Sequence, residues 1–365
     1  MSSPKSGSTQ KIHGKVTLKA VAERVGLAPG TVSAVLNESA ASNSIPEHTK
    51  KRVLAAAREM NYRPNYFART LRKQKTHTIG VIAEEIGDAY GSMIISGVER
   101  YLRTHNYFFL TVIHRHDPKL IEQYSAMLLD RGVEGIIAVD TTLASSPPVP
   151  TVAVAGHKKL AGVTNLNIDQ LHAARIALRH LTELGHRKIA FIRGQTFSSD
   201  AKERWETIQG TCKEMGIAIT AARTVEMDRD DASPKMGYDF AKQLLTQTRD
   251  FTALFAYNDV AAIGAIRALQ EAGLRVPHDV SVMGFDDIRE AGFYTPSLTT
   301  VRQPLGQMGE IAAKTLLDQI ESNAEFQPQI LVEPLLVVRE STAKVKASGS
   351  SRPSVPAAFT KNSQE

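Results

Sequence analysis

Between Thr17 and Val25 the apolar residues Leu18, Val21, Ala22 and Val25 recur at i, i+3, i+4 and i+7, the stripe of an amphipathic helix. Thr17 stands at the N-cap position, and Gly26 suits the left-handed residue that ends such a helix. A second short helix is predicted from Pro29 to Leu36, with the proline in the first turn where its missing N–H is harmless. Val32, Val35 and Leu36 would face the core. A third helix is predicted over Glu47–Met60, basic along one side, and the polar stretch Glu38–Ser44 before it reads as a loop.

From Thr78 the period changes. Apolar runs of five or six residues (Thr78–Ala83, Phe108–Ile113, Gly135–Val139) alternate with helical stretches around Ser92–Thr104 and Pro118–Asp130. The pattern restarts near Asp169, with a helix over 169–184, a strand at Lys188–Ile192 and a helix over 199–215. A strand at Thr252–Ala256, a helix over 258–272, a strand at Val280–Gly284 and a last helix near 305–320 complete it. Continuously apolar strands alternating with helices mean parallel sheets covered on both faces. The fold class is therefore α/β, two doubly wound lobes behind an all-α head. Ligands in such sheets sit beyond the carboxyl ends of strands, which points to the loops after Ala83, Ile192, Ala256 and Gly284.

A chain of 365 residues is too long for one core, and 42% apolar with 22% charged residues is ordinary for a globular protein. The single cysteine, Cys212, rules out a disulfide framework and a Cys-based zinc site, and inside a helix it reads as inert core. No apolar run approaches a membrane span and Met1–Val16 lacks the apolar core of a secretory signal, so a cytoplasmic protein is expected. Charge is segregated. Residues 1–76 hold 14 Lys/Arg against four acids, a net of +10, while the remaining 289 hold 30 against 34, a net of −4. A basic head on a mildly acidic body points to a polyanion at one end, the alternative being a solvated basic tail.

Two short helices joined at a glycine and followed by a third make a helix-turn-helix candidate. Its second helix would present Thr31, Ser33 and Asn37 to phosphates or base edges. Taken alone, such a hairpin is more often a structural bundle; the +10 charge turns the reading toward DNA.

The run from Val16 to Asn37 resembles the signature of the LacI/GalR family of transcriptional regulators, and so do Thr49–Asn65, Ala68–Arg72 and Thr78–Val81. Body motifs agree: Leu184–Ala190, Asn258-Asp259, Gly284–Asp287 and Leu298–Pro304, so that the likeness spans roughly 16–342. It implies a disordered 1–15, a DNA-binding domain at 16–64 and a hinge at 65–76. A two-lobed effector and dimerisation domain would follow at 77–342, with a disordered tail at 343–365. Within the body the first lobe would comprise about 77–164 and 297–342, and the second about 165–296. The hinge segment, with Asn65, Arg69 and Arg72, would fold on operator DNA and set Leu71 as an apolar wedge in the minor groove. Arg69, Arg72, Lys73 and Lys75 would neutralise phosphates, and Thr17, Leu18 and Tyr62 would join the DNA face. The alternative is a plain charged linker.

Three departures from the family pattern qualify this. Ala20 replaces the acid that would complete a capping box with Thr17, the segment 38–44 is longer, and Pro29, Gly30 and Ala34 hold the recognition positions. None of those three has a side-chain donor, so specificity would lean on a thymine methyl contact at Ala34, on backbone groups and on Leu71.

In the body the resemblance implies a periplasmic sugar-binding architecture with Tyr90, Ser198, Asp200, Arg204, Asn258 and Asp286 at the effector, although Thr207 stands where the family's Arg-x-x-Gly has glycine. A carboxylate such as Asp286 can accept from two hydroxyls and Arg204 offers a planar fork of donors, which suits a polyol. Asn258 and Asp286 also read as caps of the elements that follow them. His114-x-His116-Asp117 reads as a solvated loop rather than a metal site.

No phosphate-cradling or nucleophile-elbow motif supports an enzyme. A solute-binding protein that does not touch DNA is the alternative, against which the basic head counts. The chain is thus expected to be a dimeric, metabolite-controlled repressor of a two-fold symmetric DNA site, using no cofactor or metal.

Overall fold

The computed structural model describes residues 16–63, 75–156, 158–198, 200–229, 231, 233–321 and 325–345. The chain divides between Thr76 and His77 into two units. Asn65, Arg69, Leu71 and Arg72, and the hinge expected there, lie outside the described residues.

In the first unit α1 (Leu18–Val25), α2 (Pro29–Leu36) and α3 (Glu47–Glu59) close around Val21, Val25, Val32, Val35 and Val53. The Thr17 hydroxyl accepts from Ala20 N–H at 3.2 Å, and Gly26 ends α1 at φ 66°. The guanidinium of Arg52 donates to Val25 O at 2.9 Å, tying α3 to the carboxyl end of α1, where a cation is favoured. The segment read as a loop contains a 3-10 turn over Ala40–Ser44, entered by a bond from Ser39 N–H to Ala34 O at 3.1 Å.

The second unit carries two six-stranded sheets. The first combines β1 (Thr78–Ala83), β2 (Phe108–Ile113), β3 (Gly135–Val139), β4 (Thr151–Val154), β5 (Val163–Ile168) and β11 (Gln329–Val332). Their order is β11-β5-β4-β3-β1-β2, parallel throughout. The second combines β6 (Ile189–Arg193), β7 (Thr224–Glu226), β8 (Ala253–Ala256), β9 (Ser281–Asp286), β10 (Thr299–Arg302) and β12 (Leu335–Val337). It runs β12-β10-β9-β8-β6-β7, with only β12 antiparallel.

Helices α4 (Ala89–Thr104), α5 (Pro118–Asp130) and α10 (Leu305–Glu321) pack on the first sheet. Helices α6 (Gln170–Glu183), α7 (Ala201–Glu214), α8 (Pro234–Gln247) and α9 (Asp259–Glu271) belong with the second. Strands β1, β3 and β4 are buried along their whole length, as parallel strands between helical layers must be. Helices α4 and α10 meet backbone to backbone: a Cβ on Gly309 would lie 2.0 Å from Ile94 O, and one on Gly97 2.0 Å from Gly306 O.

Several elements escape the periodicity. Strand β5 carries buried Thr164, Asn165 and Asn167, so its pattern is not apolar; Thr164 Oγ1 satisfies itself on Gln327 O at 2.7 Å and Asn165 Nδ2 on Lys158 O at 3.3 Å. Strands β4, β7, β10, β11 and β12 are only three or four residues long.

The lobe boundaries also shift from those expected. The first sheet takes β5 as far as Ile168, while β10 and β12 join the second, so the chain crosses between lobes near 169, 303–304 and 333–334. Residues 343–345, expected in a disordered tail, are pinned to the second lobe. Ala343 N–H donates to Ser281 Oγ at 3.0 Å, and Val345 N–H to Leu184 O at 2.9 Å. No helix among the described residues is long and apolar enough to cross a membrane.

Candidate functional site

In the head, the amino end of α2 is open. Ala28 makes no side-chain cap, Ala28, Pro29 and Gly30 are exposed, and a Cβ on Gly30 would meet nothing within 4 Å. Uncapped backbone N–H groups at a helix start suit a phosphate. Thr17 is exposed nearby in sequence, and Leu18, Thr31 and Ser33 are half-buried. Two expectations change. Ala34 is buried at 7% exposure, its carbonyl accepting from Ser39 N–H, so its methyl is not displayed for a thymine. Asn37 turns its amide onto its own helix, donating to Ser33 O at 2.8 Å and Ser33 Oγ at 3.2 Å, so it serves as a C-terminal cap of α2. Tyr62 packs at the edge of the head core and donates its backbone N–H to Ala57 O, and burial pushes its phenol up.

In the body, the loops at the carboxyl ends of β1, β6, β8 and β9 surround a cleft enclosing about 890 Å³ of atom-free space, its mouth included. Tyr90, Ser198, Asp200, Arg204, Asn258 and Asp286 all line it. Arg204 is 4% exposed in the first turn of α7. Its guanidinium bonds Asp200 Oδ2 at 3.2 Å and Tyr257 O at 2.9 Å, and reaches Gln170 Oε1 at 3.4 Å. The rings of Phe285 and Tyr257 flank it at 3.8 and 4.6 Å. Gln170 closes the circuit by donating to Asp200 Oδ1 at 3.2 Å. A buried cation with both a carboxylate and neutral acceptors is compensated in place.

Asp286 ends β9 with φ 114°, and Asp287 follows with φ 58°. That turn leaves the Asp286 carboxyl buried beside the cleft, where Gln303 Nε2 donates to it at 2.7 Å. Burial is the main cause that raises it to about 7, against Arg204 and Gln303, which pull it down. Asp287 is instead held by Arg302 and Arg339, each at 2.6 Å. Behind them Asp259 accepts from Thr300 Oγ1 at 2.6 Å and Ile288 N–H at 2.9 Å; burial holds its carboxyl well above the usual range. The expected capping role of Asn258 is present, with its Oδ1 accepting from Ala261 N–H at 2.8 Å. Ser198 Oγ pairs with Tyr257 Oη at 2.7 Å. Tyr90 Oη is buried with no hydrogen-bond partner among the described residues, and burial raises its phenol far above 10.

The pair His114 and His116 is not a solvated loop. His114 is buried, its Nε2 2.9 Å from Thr141 Oγ1, and burial lowers its basicity. His116 sits 2.5 Å from Glu84 Oε1 and lines the cleft. Burial would raise Glu84, but the hydrogen bonds from His116 and Asp140 outweigh it and leave the carboxyl low. Among the described residues no cluster of three His, Cys, Asp or Glu could hold a metal. Cys212 is buried, its thiol pushed up to about 12 by burial.

Sequence reasoning missed Gln170, Tyr257, Gln303, Glu84, Asp88, Asp140 and Phe197. Two signals were in reach: Tyr257 precedes Asn258, and Gln303 sits inside the Leu298–Pro304 motif. The others depend on which loops meet.

Residues 17–65 match the profile of the bacterial regulatory proteins of the lacI family, and residues 178–342 that of the periplasmic binding protein-like domain. The HTH-type transcriptional repressor PurR of Proteus mirabilis is 34% identical over 336 residues, covering 90% of this chain and 97% of the relative. A lac repressor dimer bound to operator and the anti-inducer ONPF superposes with a TM-score of 0.82 at 27% identity, covering 90% of this chain and 100% of that one. The transcriptional regulator CelR in complex with cellobiose gives a TM-score of 0.64 at 27% identity, over 89% of this chain and 99% of that one.

Proposed function

The chain belongs to the lacI family of bacterial regulatory proteins, DNA-binding transcriptional repressors rather than enzymes, and on that premise we propose that it represses a two-fold symmetric operator as a dimer under the control of a sugar or related metabolite held between the lobes. It acts in the cytoplasm, where the DNA is. The observation that carries the effector half is the convergence of Asp200, Arg204, Asp286 and the partnerless Tyr90 hydroxyl on one cleft. Convergent polar groups in a concave site are the usual make-up of a small-molecule pocket.

The head reads DNA from the open start of α2, using Pro29, Gly30, Thr31 and Ser33 of that helix together with Thr17, Leu18 and Tyr62. The hinge residues Asn65, Arg69, Leu71 and Arg72 complete the grip by bending the minor groove. Two heads are needed for a symmetric site, so the repressor works as a homodimer. Effector binding alters lobe closure, and by linkage effector and operator change each other's affinity by one shared factor. The lac repressor likeness on operator and the cellobiose complex of CelR support both halves.

The test is selection of operator sequences by the full-length protein, followed by fluorescence anisotropy with and without candidate sugars. Binding to a palindrome with a steep inverse salt dependence is expected. A protein that takes sugars in its cleft but ignores every DNA at low salt would instead be a solute-binding protein.

A further inference from the structure

The cleft is strongly one-signed. Glu84, Asp88, Asp140 and Asp286 line it, Glu85 and Asp231 stand with them, and Asp200 completes the carboxylates; opposite them are Arg204 and His116 alone among the described lining residues. Both cations already have anionic or neutral acceptors. Arg204 directs three of its five N–H groups to Asp200, Tyr257 O and Gln170, which leaves donors for a hydroxyl but compensates its charge, and two aromatic rings flank it. His116 is held on Glu84. A phosphate or carboxylate entering here would meet like charge, while both cations among the described lining residues are already compensated by acceptors.

Two further features call for a donor-rich guest. Asp286, 4% exposed, receives one side-chain hydrogen bond among the described residues, from Gln303, and once an adjacent cation holds its carboxyl ionised it offers four lone-pair sites. The buried Tyr90 hydroxyl has no partner at all among them. Phe197, 41% exposed, and Tyr90 add ring surface to the same cleft, and an aromatic face attracts a cation.

We propose that the cleft takes an aminated polyol, a ligand bringing a protonated amine together with hydroxyls, and turns away phosphorylated and carboxylated sugars. An ammonium is all donor, three N–H groups and no acceptor, which is the complement of Asp286 and its neighbouring carboxylates. The hydroxyls serve Tyr90 and Asp88. This rests on the reading of the cleft as the effector site and fixes the charge class of what that site holds.

The experiment is calorimetric titration of the full-length protein near neutral pH with glucosamine, galactosamine and mannosamine. Each is compared with its neutral parent, its N-acetyl derivative and its 6-phosphate. At least one amino sugar should bind saturably and lose about tenfold or more in affinity when acetylation removes its charge, with the 6-phosphates silent. Asp286→Asn should bring the affinity of that amino sugar down to that of its neutral parent. The unmodified protein carries the test if the variant fails to fold. The proposal falls if no amino sugar binds, if neutral or acetylated partners bind as tightly, or if a 6-phosphate binds better. A neutral or phosphorylated sugar that releases the operator would overturn the amine and leave the regulatory reading standing.

Discussion

The imidazole of His116 lies against the ring of Phe197, centroids 4.4 Å apart and planes tilted by 57°. His116 follows β2 in the first lobe and Phe197 follows β6 in the second, so this contact joins the two lobes across the cleft that both residues line. Glu84 of the first lobe anchors the histidine at 2.5 Å. An aromatic pair of this kind contributes about 0.5–1.5 kcal/mol beyond the area it buries. Phe197→Ala should therefore lower the unfolding free energy of the protein by about that much, measured by denaturant melts. A melt identical to that of the unchanged protein would show that the rings merely touch.

Arg204 and Asp200 form a buried pair at 3.2 Å. Removing one member of such a pair leaves the other charge buried and alone, at a cost of about 3–5 kcal/mol. Arg204→Ala should reach that range in urea melts. Adding Asp200→Asn should recover part of the loss, because the stranded charge is gone. Simple addition of the two single effects would mean that they act independently.

Burial holds the Asp286 carboxyl at about 7, above its ordinary 3.8. Between those values the folded protein keeps a proton that the unfolded chain has released. Stability is then unaffected by this group below about pH 4, declines as pH rises toward about 7, and is level beyond. Asp259 is buried and raised in the same sense, so Asp286→Asn should lessen the decline without abolishing it. Parallel thermal melts of the two proteins between pH 5 and pH 8 check this; equal slopes would mean that Asp286 is already ionised when folded.

In the head, Gly30 is exposed with open space where its Cβ would stand, whereas Ala34 is buried. Gly30→Arg should add a base contact and change operator preference at one position, worth about 1–3 kcal/mol of discrimination. Ala34→Arg should instead unfold the head, seen as lost helicity and lost binding to all DNA. The opposite pairing of outcomes would mean that α2 presents its other face.

Thr17 accepts from Ala20 N–H, and the Ala20 methyl has no acceptor to return the bond. Thr17→Ala should cost about 1 kcal/mol of head stability. Ala20→Glu, which completes the reciprocal box, should add a few tenths to about 1 kcal/mol. Thermal melts of the full-length variants read both.

Elements whose periodicity is strong and local are legible from the order of residues alone. Helix α1 with its Thr17 and Gly26 ends is written in ten consecutive residues, and β1 and β3 are continuous apolar runs that a two-sided sheet buries, whereas β2, apolar too, stands at the sheet edge with Phe108 exposed. That order also set the charge segregation and brought the family into view, and with it the six cleft residues that the fold gathers. Tertiary structure decided the rest, because each remaining feature depends on partners far apart in the chain. Strand β5 is fixed by its pairing with β4 and β11, and Gln327, distant in the chain, and Lys158, in the loop before it, accept from its buried polar side chains. Ala34 is buried only once the head has packed, and His116 becomes a cleft residue where Glu84 and Phe197 meet it. The elevated Asp286 follows from burial among distant carboxylates, since desolvation is a property of the assembled site and not of any run of residues.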